Sequence, residues 1–211
     1  MVNGMIGKKL GMTQVFDDQG RALPVTVIQV GPCVVVQKKT KDKEGYEAAQ
    51  LGLVEAGRKA PDSNLPEEGH FKRAGVPPTR ILKEFREVRG SEPVKVGDTI
   101  VADDVFDANE FVDVAGRTIG RGFQGVIKRH GFHGGRATHG SMFHRAPGSI
   151  GASAHPSRVY PGMKGPGHMG ARNRKIRRLR VIKVDSENNL LLVKGAVPGS
   201  KGGYLFVNRS K

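Results

Sequence analysis

The chain has 211 residues and a formal net charge of +15 at pH 7, from 35 Lys and Arg against 20 Asp and Glu. Its 37% hydrophobic content, single cysteine and lack of tryptophan suit one modest core in a reducing compartment and exclude a disulfide scaffold. No apolar run approaches the roughly 18–20 residues of a membrane span, and Met1 to Leu10 has no long apolar stretch behind its lysines, so neither membrane insertion nor secretion is expected.

Taken in chain order, residues 4 to 60 have β character. Val15-Phe16, the alternating Pro24 to Val30, Val34 to Gln37 and Ala48 to Val54 are short runs separated by Gly and Asp turn signals. Long crossover helices are missing between them, which favours an antiparallel barrel or sandwich over a parallel sheet. Cys33 lies in an apolar run and is expected to be a buried thiol without a partner. Lys38 to Lys43 is basic, but Asp42, Glu44 and Glu47 beside it leave a solvated turn and a second contact with the partner of the basic segment described below both open. A polar loop is expected over Pro61 to Pro78, with a short helix at Glu67 to Ala74. Ile81 to Val88 and Thr99 to Ala102 return to β character, and Phe111 to Ile119 forms the next strand. After the segment described below, Arg180 to Val184 and Leu190 to Lys194 flank the turn residues Asp185 to Asn189 as a hairpin, and Tyr204 to Val207 closes the body.

Between Asp113 and Asp185 there is no acidic residue, while the 71 residues Val114 to Val184 carry 15 of the 35 lysines and arginines. The other 140 residues hold 20 basic and 20 acidic side chains. A neutral body therefore carries a basic insert, expected to leave the body near residue 119 and return near 179. Six of the seven histidines lie in it, His130, His133, His139, His144, His155 and His168, with 14 glycines from Gly116 to Gly170. Such a segment cannot bury enough apolar surface to offset its ordering entropy and self-repulsion, so it is expected to order on a polyanion. Nucleic acid is the leading partner, because phosphate backbones neutralise such charge with release of counterions. Phe123, Phe132, Phe143 and Tyr160 are spaced singly among the cations, and Pro147, Pro156, Pro161 and Pro166 limit the segment's freedom.

Gly120-Arg-Gly-Phe-Gln-Gly125 has the GxGxxG form of a dinucleotide-phosphate loop, and a phosphate-ligand enzyme built on it is the alternative functional class. That chemistry needs a carboxylate about 20 residues on for the ribose hydroxyl. The next acid is Asp185, so the glycines are read as allowing close backbone approach, with Arg121, Lys128 and Arg129 facing phosphate. Metal binding by the histidines is disfavoured for the same lack of carboxylates and cysteines, and a hydrolase built on Ser141 with His139 or His144 lacks an orienting acid nearby in sequence. Arg172-Asn-Arg-Lys-Ile-Arg-Arg-Leu-Arg180 is the densest cationic run, of one sign, and is expected to contact phosphate.

Phe106, Asp113, Gly116, Thr118, Gly120-Arg-Gly122, Gly125 and Arg129, at their spacing, resemble the signature of the family of the third protein of the large ribosomal subunit, in its bacterial form. Ile6 to Thr13, His144 to Gly151 and Asn189 to Gly199 resemble the same family in the same order, so the likeness spans essentially the whole chain. The resemblance implies a mainly β fold, a translation-protein-type antiparallel β-barrel with a small α/β portion and a long basic loop extension. The body is expected at 1–115 and 181–211, with 61–98 as a looped and helical insertion, and the extension at 116–180. It further implies a cytoplasmic, non-catalytic ribosomal constituent without cofactor, metal or small-molecule substrate. Its expected partners are 23S rRNA and neighbouring large-subunit proteins, with an early role in assembly.

The candidate rRNA contacts are Arg117, Arg121, Lys128, Arg129, His130, Arg136, His139, His144, Arg145, Arg158, Lys164, His168, Arg172, Arg174, Lys175, Arg177, Arg178 and Arg180. The extension tip, implied to approach the peptidyl transferase centre, is Pro147, Gly148, Ser149, Ile150, Gly151, Ala152, Ser153 and Ala154. Some relatives carry a methylated glutamine near this tip, whereas this chain has no Gln after Gln124, so that modification is expected to be absent.

Overall fold

A computed structural model describes residues 1–55, 64–88 and 93–210. Its contacts divide the chain into two compact units, Met1–Thr118 with Asn173–Lys211, and Ile119–Arg172.

The first unit is built on a closed barrel of six antiparallel strands in the order β1, β12, β7, β10, β11, β2. These are β1 (Gly4–Phe16), β2 (Ala22–Val30), β7 (Phe111–Arg117), β10 (Asn173–Asp185), β11 (Leu190–Lys194) and β12 (Tyr204–Arg209). Alternation explains the inward set: Val112 and Val114 on β7, Leu191 and Val193 on β11, and Leu205 and Val207 on β12 are all at most 1% exposed. Closure removes the sheet edges that would otherwise offer unpaired backbone groups. Thr26, fully buried, donates its hydroxyl to the Gly195 carbonyl at 2.6 Å, so no polar atom is left unpaired there.

A second antiparallel sheet, in the order β5 (Leu82–Arg86), β4 (Ala48–Leu53), β3 (Cys33–Lys39), β6 (Thr99–Ile100), belongs to the same unit. Its Val35, Leu51, Phe85 and Ile100 join Met5, Ile28 and Val181 of the barrel in one continuous core. A helix, α2 (Leu65–Ala74), buries Phe71 against Val34 and Val36. It starts at Asn64 with the side chain of Glu67 accepting the Asn64 amide, and stops at left-handed Gly75. The first residues of the polar loop expected from Pro61 lie outside the described residues. Two short helices complete the body: α1 (Lys41–Glu44), where a solvated turn or an RNA contact was expected, and α3 (Ala102–Val105). The Cys33 thiol is buried, and burial pushes its pKa up to about 12. Among the described residues no helix is long and apolar enough to cross a membrane.

The strand elements agree with the sequence expectations at Leu82–Arg86, Phe111–Arg117, Leu190–Lys194 and Tyr204–Arg209. Two differences matter. Strand β1 begins at Gly4, well before Val15, because its first residues pair with β12 at the far end of the chain. Strand β10 begins at Asn173 rather than near Arg180, because Asn173 to Ile176 pair with Arg117 to Val114. Most of the densest cationic run is therefore barrel wall.

Candidate nucleic-acid interface

In the second unit, β8 (Phe123–Gln124) pairs with β9 (Gly167–His168). The Arg121 amide donates to Met169 O and the Met169 amide to Gly122 O, both at 2.9 Å, extending the ladder. The GxGxxG segment thus supplies one strand of a small two-stranded sheet and enters α4 (Val126–His130), a helix of five residues closed by left-handed Gly131. Neither the parallel sheet nor the long helix of a dinucleotide-binding unit is present here. Further along, Gly134 and Gly135 cross the Phe143–His144 segment so closely that a β-carbon on Gly135 would sit 2.6 Å from Phe143 Cδ1. Only glycine fits that crossing.

Among the described residues of this unit, Val126 is the single buried side chain. The arm is held together by backbone bonds and by three side chains that the sequence assigned to RNA. Arg129 Nη1 donates to Gly165 O at 2.7 Å, His130 Nε2 to the same carbonyl at 3.0 Å, and His144 Nδ1 to Arg136 O at 3.1 Å. A carbonyl only accepts, which fixes each of these ring nitrogens as protonated. By contrast the side chains of Arg121, Lys128, Arg136, Arg145 and Lys164 are exposed and hold no partner among the described residues. His139 and His168 are exposed as well, and the Arg158 guanidinium lies over the Tyr160 ring, 5.1 Å from its centre. The residues Pro147 to Ala154 are exposed throughout, with Gly148 at φ +85° and Gly151 at φ +152°. Among the described residues no group of three His, Cys, Asp or Glu is placed to hold a metal ion.

In the barrel unit, Arg117 ends β7 opposite Asn173 of β10, and Arg172, the last residue of the arm unit, is exposed. Arg174 and Arg177 are exposed without a partner among the described residues, and Arg180 donates to Asn109 Oδ1 at 2.8 Å. The Lys175 ammonium and the backbone of Arg178 converge on Asp113, which the sequence marked as the last acid before the basic insert and as one residue of the family signature. The residue is 8% exposed, and its carboxylate meets Lys175 Nζ at 2.8 Å through Oδ2 and accepts the Arg178 amide at 3.0 Å through Oδ1. Burial pushes the Asp113 pKa up, but the Lys175 ammonium, the Arg178 amide and the Ser210 hydroxyl outweigh it and hold the group below its ordinary value.

A depressed carboxylate contributes stability above its unfolded pKa, near 3.9, and that stability is lost as pH falls through the lower folded value. Asp113→Asn is expected to cost about 1–3 kcal/mol at pH 7 and to flatten the decline in melting temperature below about pH 4. An acid limb of thermal melts unchanged by the substitution would remove Asp113 as the organiser of this strand.

The sequence pattern of the family described as Ribosomal protein L3 matches residues 92–189. A protein of Solibacter usitatus (strain Ellin6076), named large ribosomal subunit protein uL3, is 53% identical over 211 residues, covering 100% of both chains. Proteins of the same name from Geotalea daltonii (strain DSM 22248 / JCM 15807 / FRC-32) and Geobacter sulfurreducens (strain ATCC 51573 / DSM 12127 / PCA) are each 51% identical. They cover 100% and 98% of this chain, and 98% and 97% of their own lengths.

Proposed function

The chain belongs to the ribosomal protein L3 family, and from that premise we propose that its basic arm binds the 23S RNA of the large subunit. Membership makes it a structural, non-enzymatic constituent of the large ribosomal subunit, working in translation in the cytoplasm. The finer reading rests on one observation above all. The arm is a unit with one buried side chain, no acidic residue and a set of exposed, unpartnered cations. Such a surface repels itself in water and is neutralised by phosphate.

The proposed division of labour follows from that. The barrel, including Asn173 to Arg180, anchors the protein on RNA and neighbouring large-subunit proteins, and the arm threads RNA. Arg129, His130 and His144 shape the arm from within, while Arg121, Lys128, Arg136, Arg145 and Lys164 meet phosphate. An early role in subunit assembly fits a segment that gains its partner charge only from folded RNA. The exposed residues Pro147 to Ala154 are proposed to approach the peptidyl transferase centre.

Large subunits reconstituted with Gly148→Asp or Ser153→Arg test the tip. Neither position contributes to a core, so the melting temperature of the isolated protein is expected to stay within a few degrees of the parent. Peptidyl transfer, or the binding of antibiotics near that centre, is expected to fall. A large drop in melting temperature with full activity after assembly would place these residues elsewhere.

A further inference from the structure

Phe111 opens β7 on the outer face of the barrel and is 45% exposed. The Arg178 guanidinium lies over its ring, 5.4 Å from the centre. This pairing requires a specific backbone device. The register of β10 against β7 breaks between Ile176 and Leu179, and within the break Arg178 takes φ +54°, a left-handed conformation unfavourable for a residue with a side chain. The carboxylate of Asp113 holds it there by accepting the Arg178 amide, and is itself held by Lys175. Backbone strain fixed by a buried charge, at a point where it aims an exposed side chain, is the pattern of a binding site.

Phe111 and Arg178 line an open cleft of about 360 Å³, completed by Glu110, Arg209 and Ser210. Its volume falls in the range of small-ligand sites, about 300–1,000 Å³. Of its two guanidiniums only that of Arg178 is free of a carboxylate among the described residues, since Arg209 Nε donates to Glu110 Oε2 at 3.0 Å and Nη2 to Oε1. A phosphate entering would meet the Glu110 carboxylate. A flat, neutral, hydrogen-bonding group would meet a ring and a guanidinium plane, the two surfaces on which unstacked RNA bases settle.

We infer that this cleft takes one unpaired RNA base, stacked on the Arg178–Phe111 pair, as a contact separate from the phosphate contacts of the arm. The inference rests on the reading that the chain binds large-subunit RNA. A base held here adds affinity without adding a neutralised phosphate, which gives it a signature of its own.

The test uses the full chain and large-subunit rRNA over a salt series. Phe111→Ala is expected to weaken binding roughly tenfold, the scale of one lost base–aromatic stack, while the log–log salt slope stays that of the parent. Phe111→Trp is expected to keep the affinity. It introduces the only tryptophan of the chain, whose fluorescence should be quenched when rRNA binds, a readout that survives if the alanine variant folds poorly. Parent-like affinity of Phe111→Ala, or unquenched tryptophan in an rRNA complex, would overturn the stacking site while leaving RNA binding intact. Quenching by a neighbouring large-subunit protein alone would assign the cleft to protein and overturn the inference equally. A parent chain that fails to bind rRNA would remove both readings together.

Discussion

Replacing Arg121, Lys128, Arg136 and Arg145 together by alanine is expected to lower affinity for large-subunit rRNA roughly a thousandfold at about 0.1 M salt. All four are exposed and none has a partner among the described residues, so no bond seen there is lost with them. Each phosphate contact contributes about 0.7–0.9 to the slope of log affinity against log salt, so the slope should flatten by about 3. Arg129→Ala is the informative comparison. Its guanidinium is spent on the Gly165 carbonyl, so its loss should loosen the arm and weaken binding with much less change in slope. Filter binding across a salt series measures both quantities. A quadruple variant with the parent slope would mean that these side chains face solvent in the complex.

The largest expected loss of stability comes from Gly4→Val. Gly4 pairs with Asn208 where β1 meets β12, the junction that closes the barrel between the two ends of the chain. A β-carbon at Gly4 would collide with the Val207 carbonyl oxygen and the Asn208 side chain and approach Phe85 Cδ1 at 2.9 Å. A backbone carbonyl in a ladder cannot rotate aside as a side chain can, so the strands must part. Overpacking of this kind costs about 3 kcal/mol or more, equivalent to a fall of about 6–12 °C in melting temperature for a chain of this size. Gly11→Val serves as the control, since nothing lies within 4 Å of its β-carbon position and its effect should stay within about 0.5 kcal/mol. Equal melting temperatures for the two variants would show that closure at Gly4 does not limit stability.

The sequence by itself determined the partition of charge, the β character of the body and the family. Net charge and the absence of acids from Val114 to Val184 are properties of composition and need no geometry to be read. Alternation at Arg180 to Val184 and Leu190 to Lys194 exposes a hairpin because both strands and their turn are contiguous. The buried thiol of Cys33 follows in the same way from the apolar run around it.

Only the tertiary structure decided what depends on partners distant in sequence. Local periodicity marks which residues of a strand face inward, yet it does not say that Gly4 lies opposite Asn208, or that Arg174 and Lys175 pair with Gly116 and Ala115 in the barrel wall. A run of cations looks uniform in one dimension. In three, Lys175 is bound by Asp113, Arg178 is bent over Phe111, and Arg129 and His130 turn inward to Gly165, while Arg121 and Lys128 remain open to solvent. The difference arises because a guanidinium carries the same charge wherever it lies, whereas the carboxylate, ring or carbonyl that engages it is delivered by pairing between strands and loops far apart in the chain.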